Sequence, residues 1–350
     1  MKSGQASRTA EVAAAFRASH TLYAEPRILE DNYAHSLTGR FWRFALSNRF
    51  THWLMFNRLL KRLSPVIAQV LVRSRYAEDT LAAAMKRGID QYVIISAGLD
   101  SFSLRHSQRE ASILQILELD HPDTQASKRQ RLQSLNVSLP TALEFVGVDF
   151  ERQSISTALA ASGFRRDAPA FFSWLGTTHY LTHQATTGTL LSIAEYAAPG
   201  SEIVLDYSVT PESLDADKHS ELRWVAKLAA RMGEPLIGGI APSALHSVVT
   251  AMGYDIIEDL SSEDQKSRYC FNRRDRLCPT VACRLLHLRL SRDRQAISEH
   301  DARGGAEEGV AETGRLKRPR AVGAATDYAL RDPDCATKEQ PLTRSPICTT

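Results

Sequence analysis

The sequence predicts an α/β protein: a doubly wound sheet of seven strands, mostly parallel with the last strand antiparallel, behind an N-terminal helical cap. Three observations carry that expectation. From Gln91 onward, short apolar runs of strand length alternate with segments of helix length. The runs are bounded by Gly, Pro or Asp, and most are separated by enough chain for a crossover helix, the Rossmann-like arrangement. Before Pro65 the pattern is helical throughout.

The elements follow in chain order. SRTAEVAAAFRASH repeats apolar residues at turn spacing, and FWRFALSNRFTHWLMFNRLLKRL, from Phe41 to Leu63, is an amphipathic run rich in aromatics and arginines. Residues 1–64 are therefore assigned to the cap. Pro65 breaks the pattern, and the stretch that follows predicts a helix or helix pair ending at Gly88. Strand runs are then QYVIISAGLD, SILQILELD, LEFVGVDF, APAFFSWLG, GSEIVLDYS, YDIIEDL and TVACRLLHLRL. Helices are expected between them over 123–134, 154–162, 182–197, 217–232 and 241–252. The last two runs are read as joined by a loop alone, which suits an antiparallel hairpin. Residues 65–290 make up the sheet domain. Residues 291–350 hold one aromatic, Tyr328, and no apolar periodicity, so they are expected to be a disordered tail with a basic LKRPR cluster.

Composition narrows the function. A net charge of +3 from 43 basic and 40 acidic residues lacks the excess of a dedicated nucleic-acid binder. No stretch approaches the ~20 apolar residues that span a bilayer, and the N-terminus has no apolar signal core, so a cytoplasmic protein without stable membrane insertion is expected. Cys270, Cys278, Cys283, Cys335 and Cys348 form no CxxC pair and no zinc-ligand spacing, so reduced thiols and no metal site are expected.

In an open parallel sheet, ligands bind beyond the carboxyl ends of the strands, near the point where strand order reverses. The first strand runs into Ala97-Gly98-Leu99-Asp100, a tight turn whose glycine lets a ligand approach the backbone. The second strand ends in Asp120, about 22 residues after Gly98, the spacing at which an acid meets ribose hydroxyls. A nucleoside-containing cofactor follows. A dinucleotide would need GxGxxG for its pyrophosphate, whereas SAGLDSF offers one glycine and a carboxylate. Asp100 repels a pyrophosphate but suits a cationic amino-acid group or a sulfonium, both present in S-adenosyl-L-methionine. The third strand ends in Asp149-Phe150, where a carboxylate accepts from an adenine amino group and a ring edges the base pocket. Arg73 offers a planar fork for the cofactor's carboxylate. Taken singly, a strand-end aspartate is more often a helix cap and a helical arginine more often solvated charge.

With these residues in view, the chain resembles the leucine carboxyl methyltransferase-like group of class I methyltransferases, nearest its bacterial S-adenosylmethionine-dependent branch, and it is also similar to polyketide O-methyltransferases. The resemblance runs over about residues 7–290 through ILEDNYA, VRSRYAEDTL, QYVIISAGLDSFSLR, ILELDHPDTQASKRQRL, EFVGVDFE, FSWLGTTHYLT and RYCFNRRDRL. It implies S-adenosyl-L-methionine as cofactor, with Arg73, Gly98, Asp120, Asp149 and Phe150 on contact positions. Asn32 stands where the family usually has proline, and Ser96 replaces the usual small residue before Ala97. Leu175 stands where the eukaryotic branch has glutamate, so that branch's phosphatase-methylating activity is not carried over.

Methyl transfer is an in-line displacement at the methyl carbon of a sulfonium, in which alignment supplies much of the rate and a general base is optional. His179 and Tyr180, just after the fourth strand, are the candidate catalytic residues, with His183 one turn further on. The same residues could instead cap or pack the junction. The acceptor is expected to be a small-molecule carboxylate or hydroxyl. The Phe41–Leu63 run could cover a lipid-like or polyketide-like acceptor, pack into an ordinary core, or touch a membrane surface through Arg58, Lys61 and Arg62. The competing functions are a nicotinamide-dependent oxidoreductase and a degenerate methyltransferase fold that binds without turnover.

Overall fold

A computed structural model describes residues 8–109, 114–150, 152–231 and 235–291. The tail from residue 292, with Cys335, Cys348 and the LKRPR cluster, lies outside the described residues.

Seven strands form one sheet: β1 (Gln91–Ile95), β2 (Gln115–Asp120), β3 (Leu143–Gly147), β4 (Phe171–Trp174), β5 (Glu202–Ser208), β6 (Tyr254–Leu260) and β7 (Cys283–Leu290). Their order is β3-β2-β1-β4-β5-β7-β6. Neighbours from β3 to β5 pair in parallel, while β7 pairs antiparallel with both β5 and β6. The order reverses between β1 and β4, so the switch point lies at the ends of those two strands.

The helices are α1 (Arg8–Tyr23), α2 (Ala34–Leu37), α3 (Arg40–Ala45), α4 (Arg49–His52), α5 (Ser64–Lys86), α6 (Phe102–Arg109), α7 (Pro122–Ser134), α8 (Ile155–Ala160), α9 (His183–Tyr196), α10 (His219–Arg231), α11 (Pro242–Ala251) and α12 (Ser262–Tyr269). The strands bury both faces because their residues alternate. Val93, Ile95, Leu117 and Phe172 join the core under α8, α9 and α11, whereas Tyr92, Ile94, Ile116 and Phe171 join the core under α5 and α6. A third cluster centred on Phe16, Leu46, Phe56 and Val70 packs the N-terminal segment onto α5.

The stretch after Pro65, expected as a helix or helix pair, is one helix, α5, and two other expectations change. The link between β6 and β7 contains α12, started by a capping box between Ser261 and Asp264. The long amphipathic run is broken: Asn48 takes the amides of Phe50 and Thr51 at 3.0 Å each, which starts α4 anew and leads into a π-helical turn, Trp53–Leu59.

Candidate functional site

Beyond β1 the chain turns sharply, with Ser96 at φ 57° and Gly98 at φ 53°. A side chain at Gly98 would be strained by this dihedral, and its Cβ would lie 3.0 Å from that of Ala10 on α1. The N-terminal helix therefore closes over the turn. Arg17 fixes it there, donating Nε to Asp31 at 2.8 Å and Nη2 to the Leu99 carbonyl at 2.6 Å. Asp31 also accepts from Ser101 Oγ at 2.6 Å, and Ser101 takes Arg105 Nε at 3.0 Å. Arg105 forks onto Glu78 of α5 at 2.6 and 3.0 Å. This buried network joins α1, α5 and α6 behind the turn.

Asp120, at the end of β2, faces the same turn. Its two oxygens accept from the Gly98 amide at 2.5 Å and the His121 amide at 2.6 Å. Burial pushes its carboxyl up, and those two amides offset the rise only in part. Each oxygen keeps acceptor capacity for a hydroxyl. Asp100 accepts from the Phe102 amide at 2.6 Å, so a carboxylate occupies the start of α6, where a pyrophosphate would otherwise bind. Asp149 is half-buried after β3, with its carbonyl turned onto the amides of Arg152 and Gln153. Phe150 beside it is 39% exposed. Gln125 of α7 ties the ends of β2 and β3 by donating to the carbonyls of Glu118 and Val146 at 2.8 and 3.0 Å.

Sequence reasoning missed the centre on the other side of the switch point. Asp206 of β5 is buried and accepts from Arg73 Nη1 at 3.0 Å, the Gly176 amide at 2.6 Å and His179 Nε2 at 3.1 Å. Burial opposes its charge, but Arg73, His179 and the Gly176 amide outweigh it and hold the carboxyl well below the usual range. With Nε2 donating to this anion, His179 Nδ1 accepts from Ser208 Oγ at 2.8 Å. Gly176, at φ 75°, lies against the guanidinium: a Cβ there would fall 2.7 Å from Arg73 Nη1. Asp206 interrupting the apolar run IVL of β5 was the available signal, since a buried carboxylate requires partners.

Arg73, Gly176 and His179 thus meet on Asp206, while Gly98 and Asp120 meet at the β1 turn. Tyr180 is half-buried with its ring edge-on to His179 at 6.2 Å. The expected turn relation of His179 and His183 does not hold. His179 sits in a 3-10 turn, Thr182 caps α9, and His183 is the exposed first residue of that helix. Leu175 packs against the core under α5. A groove of about 560 Å³ opens along the flank between α5 and α6, among Arg75, Glu78, Asp79 and His106, rather than beyond the strand ends.

Comparison with known proteins agrees with this architecture. The profile of the leucine carboxyl methyltransferase family matches residues 10–194. The chain belongs to the leucine carboxyl methyltransferase family. Methyl transfer, with S-adenosylmethionine as the donor, comes with that membership. YktD of Bacillus subtilis, provisionally named an S-adenosyl-L-methionine-dependent methyltransferase, is 30% identical over 82% of this chain and 99% of its own. A similarly named protein of Mycolicibacterium vanbaalenii is 31% identical over 62% of this chain and 74% of its own. Among solved structures, a DUF574 family protein from Streptomyces avermitilis superposes with a TM-score of 0.52 at 12% identity, covering 82% of this chain and 98% of that one. A Thermobifida fusca protein superposes at 0.53 and 13% identity, covering 83% and 97%. Both likenesses concern the fold alone.

Proposed function

We propose that this member of the leucine carboxyl methyltransferase family methylates an oxygen of a small-molecule carboxylate or hydroxyl, and that Arg73, Gly98, Asp100, Asp120, Asp149 and Phe150 bind its S-adenosylmethionine. The observation that carries the reading is the junction of the Gly98 amide and the Asp120 carboxylate at the switch point.

The donor set fits that cofactor. Asp120 is anchored by backbone amides and keeps acceptor capacity for ribose hydroxyls. Asp149 and Phe150 flank the next strand end for an adenine. Arg73, held by Asp206, presents a cation to a carboxylate. Asp100 at the α6 N-terminus disfavours the pyrophosphate of a nicotinamide dinucleotide. When bound, the cofactor supplies an electrophilic methyl group and a sulfide leaving group.

What the chain contributes is alignment and exclusion of water. The buried α1–α6 network holds the Gly98 turn rigid, and Asp206 fixes the segment Gly176–Tyr180 by accepting from the Gly176 amide and His179 Nε2 on its carboxylate and from Thr178 Oγ1 on its carbonyl. Both His179 nitrogens already have protein partners. His179 therefore serves as a positioning residue, and Tyr180 stays as the candidate acceptor contact. A carboxylate acceptor needs no base at neutral pH.

Calorimetric titration tests the cofactor half. S-adenosylmethionine binds the wild type, NAD does not, and Asp120→Ala weakens the former about 10–100-fold, the range of bonds to a charged group. Unchanged affinity in the folded variant refutes the assignment. The acceptor half is tested by methyl transfer from labelled cofactor onto a metabolite extract, with esters or ethers as the expected products. Label appearing only on nitrogen or carbon overturns it.

A further inference from the structure

The aromatic and arginine-rich segment of the cap turns much of its apolar surface outward. Phe41 is 61% exposed, Phe44 and Phe50 69%, Trp53 47%, Leu54 42% and Leu59 67%. Of the segment's aromatics only Phe56 is fully committed to the core, against Phe16, together with Ala45 and Leu46 and with Trp42, Met55, Leu60 and Leu63 packed beside it. The break at Asn48 is responsible, because it divides the run into short helical pieces whose faces cannot all turn inward. Phe50 and Trp53 stack outside, with ring centroids 6.5 Å apart.

Cations are interleaved with these rings. Arg40, Arg43, Arg49, Arg58, Lys61 and Arg62 are all exposed, and residues 40–62 contain no Asp or Glu. None of the six makes an ion pair among the described residues, in contrast to Arg17, Arg73 and Arg105 nearby in the fold. A merely solvated helix face would carry both signs of charge and keep its large aromatics inside.

We propose that this face docks on an anionic lipid surface. Exposed Phe, Trp and Leu enter the headgroup and acyl boundary, while the unpaired guanidinium and ammonium groups meet lipid phosphates. Contact is peripheral, since no helix of the described residues is long and apolar enough to cross a membrane. The helical turns offer no open strand edge to a β-partner, and the one-sided charge matches a continuous negative surface.

The test is co-sedimentation of the full chain with vesicles of phosphatidylglycerol and phosphatidylcholine, against phosphatidylcholine alone, at low and high salt. The wild type is expected to sediment only with the anionic vesicles, to be released by salt, and to show a blue-shifted tryptophan emission when bound. The triple variant Arg58→Glu/Lys61→Glu/Arg62→Glu lowers partitioning more than about tenfold. Phe44→Ser/Phe50→Ser weakens it comparably with less change in salt dependence. The five substituted side chains of the cap are exposed, and unchanged thermal midpoints establish that the variants fold. Lys317→Glu/Arg318→Glu in the tail leaves binding unaltered. Three results overturn the proposal: no sedimentation of the wild type at low salt, binding undiminished by the cap variants but lost in the tail variant, or self-association that the Phe44/Phe50 variant disperses without any lipid binding.

Discussion

Asp206 joins Arg73 of α5 to the Gly176–His179 segment through single bonds, and this makes a sharp prediction at the level of residues. Arg73 has one bond to Asp206 and its face against Gly176, so its direction is set before any ligand arrives. If Arg73 holds the cofactor's carboxylate, then Arg73→Ala weakens S-adenosylhomocysteine about 10–100-fold, the span of charge-assisted bonds, and leaves 5′-methylthioadenosine, which has no carboxylate, unaffected. Asp206→Asn and Gly176→Ala produce the same selective loss in smaller measure by releasing or displacing the guanidinium. Calorimetry with both ligands reads the difference. Equal weakening of the two means general damage to the fold, and an effect in Arg73→Ala alone means that Asp206 does not orient it. This pairing was hidden in the sequence because Arg73, the Gly176–His179 segment and Asp206 come from three distant places in the chain. Gly98 and Asp120 were readable because each closes its own strand, where local spacing and the sheet's geometry coincide.

At the level of elements, β2 and α7 are joined by a buried ion pair that a similar reasoning can probe. Lys128 Nζ donates to Glu118 Oε2 at 2.5 Å, both side chains are 1% exposed, and Ser103 Oγ of α6 donates to the other oxygen at 2.9 Å. Burial pushes the Glu118 carboxyl up despite the lysine. Lys128→Met strands that carboxyl and is expected to cost about 3–5 kcal/mol in denaturant unfolding, with Glu118→Gln/Lys128→Met costing clearly less. Equal costs would mean that packing rather than charge is at stake. Neither partner was singled out from sequence, although the helix carrying Lys128 was. Elements were legible where apolar runs of strand length stood out, as in all seven strands, and α7 and α9 were legible as the helix-length segments between those runs. They were not where the helix is almost wholly polar, as in α12 (SEDQKSRY), or where one capping side chain overrides periodicity, as Asn48 does between α3 and α4.

Across the whole molecule, the loop after α1 is pinned to that helix by a neutral buried histidine, so the stability of the N-terminal segment is expected to depend on pH. His20 accepts the Ile28 amide on Nε2 at 2.7 Å and is 3% exposed. Burial, aided by Arg273, lowers its pKa from 6.5 to about 4. A depressed folded-state value means that the stabilisation is full above pH ~6.5 and is lost as pH falls toward 4, by at most about 3 kcal/mol. His52, lowered in the same direction by burial, adds to this loss. Glu78, Glu118 and Asp120, raised by burial, work in the opposite sense, and Glu202, lowered to about 2 against the penalty of its burial by bonds from His287 and Arg87, acts only in more acidic solution. All of these are common to the wild type and to His20→Gln, whose amide oxygen can still take the Ile28 N–H. The difference between their stability curves therefore isolates His20. Denaturant unfolding from pH 7 to pH 4 is expected to show the wild type falling more steeply, with the variant less stable at pH 7 and the gap closing or reversing by pH 4. Parallel curves would show that His20 is already hydrated or protonated in the folded protein, and that the helical segment closing over the Gly98 turn is held by Arg17, Asp31 and Arg105 instead.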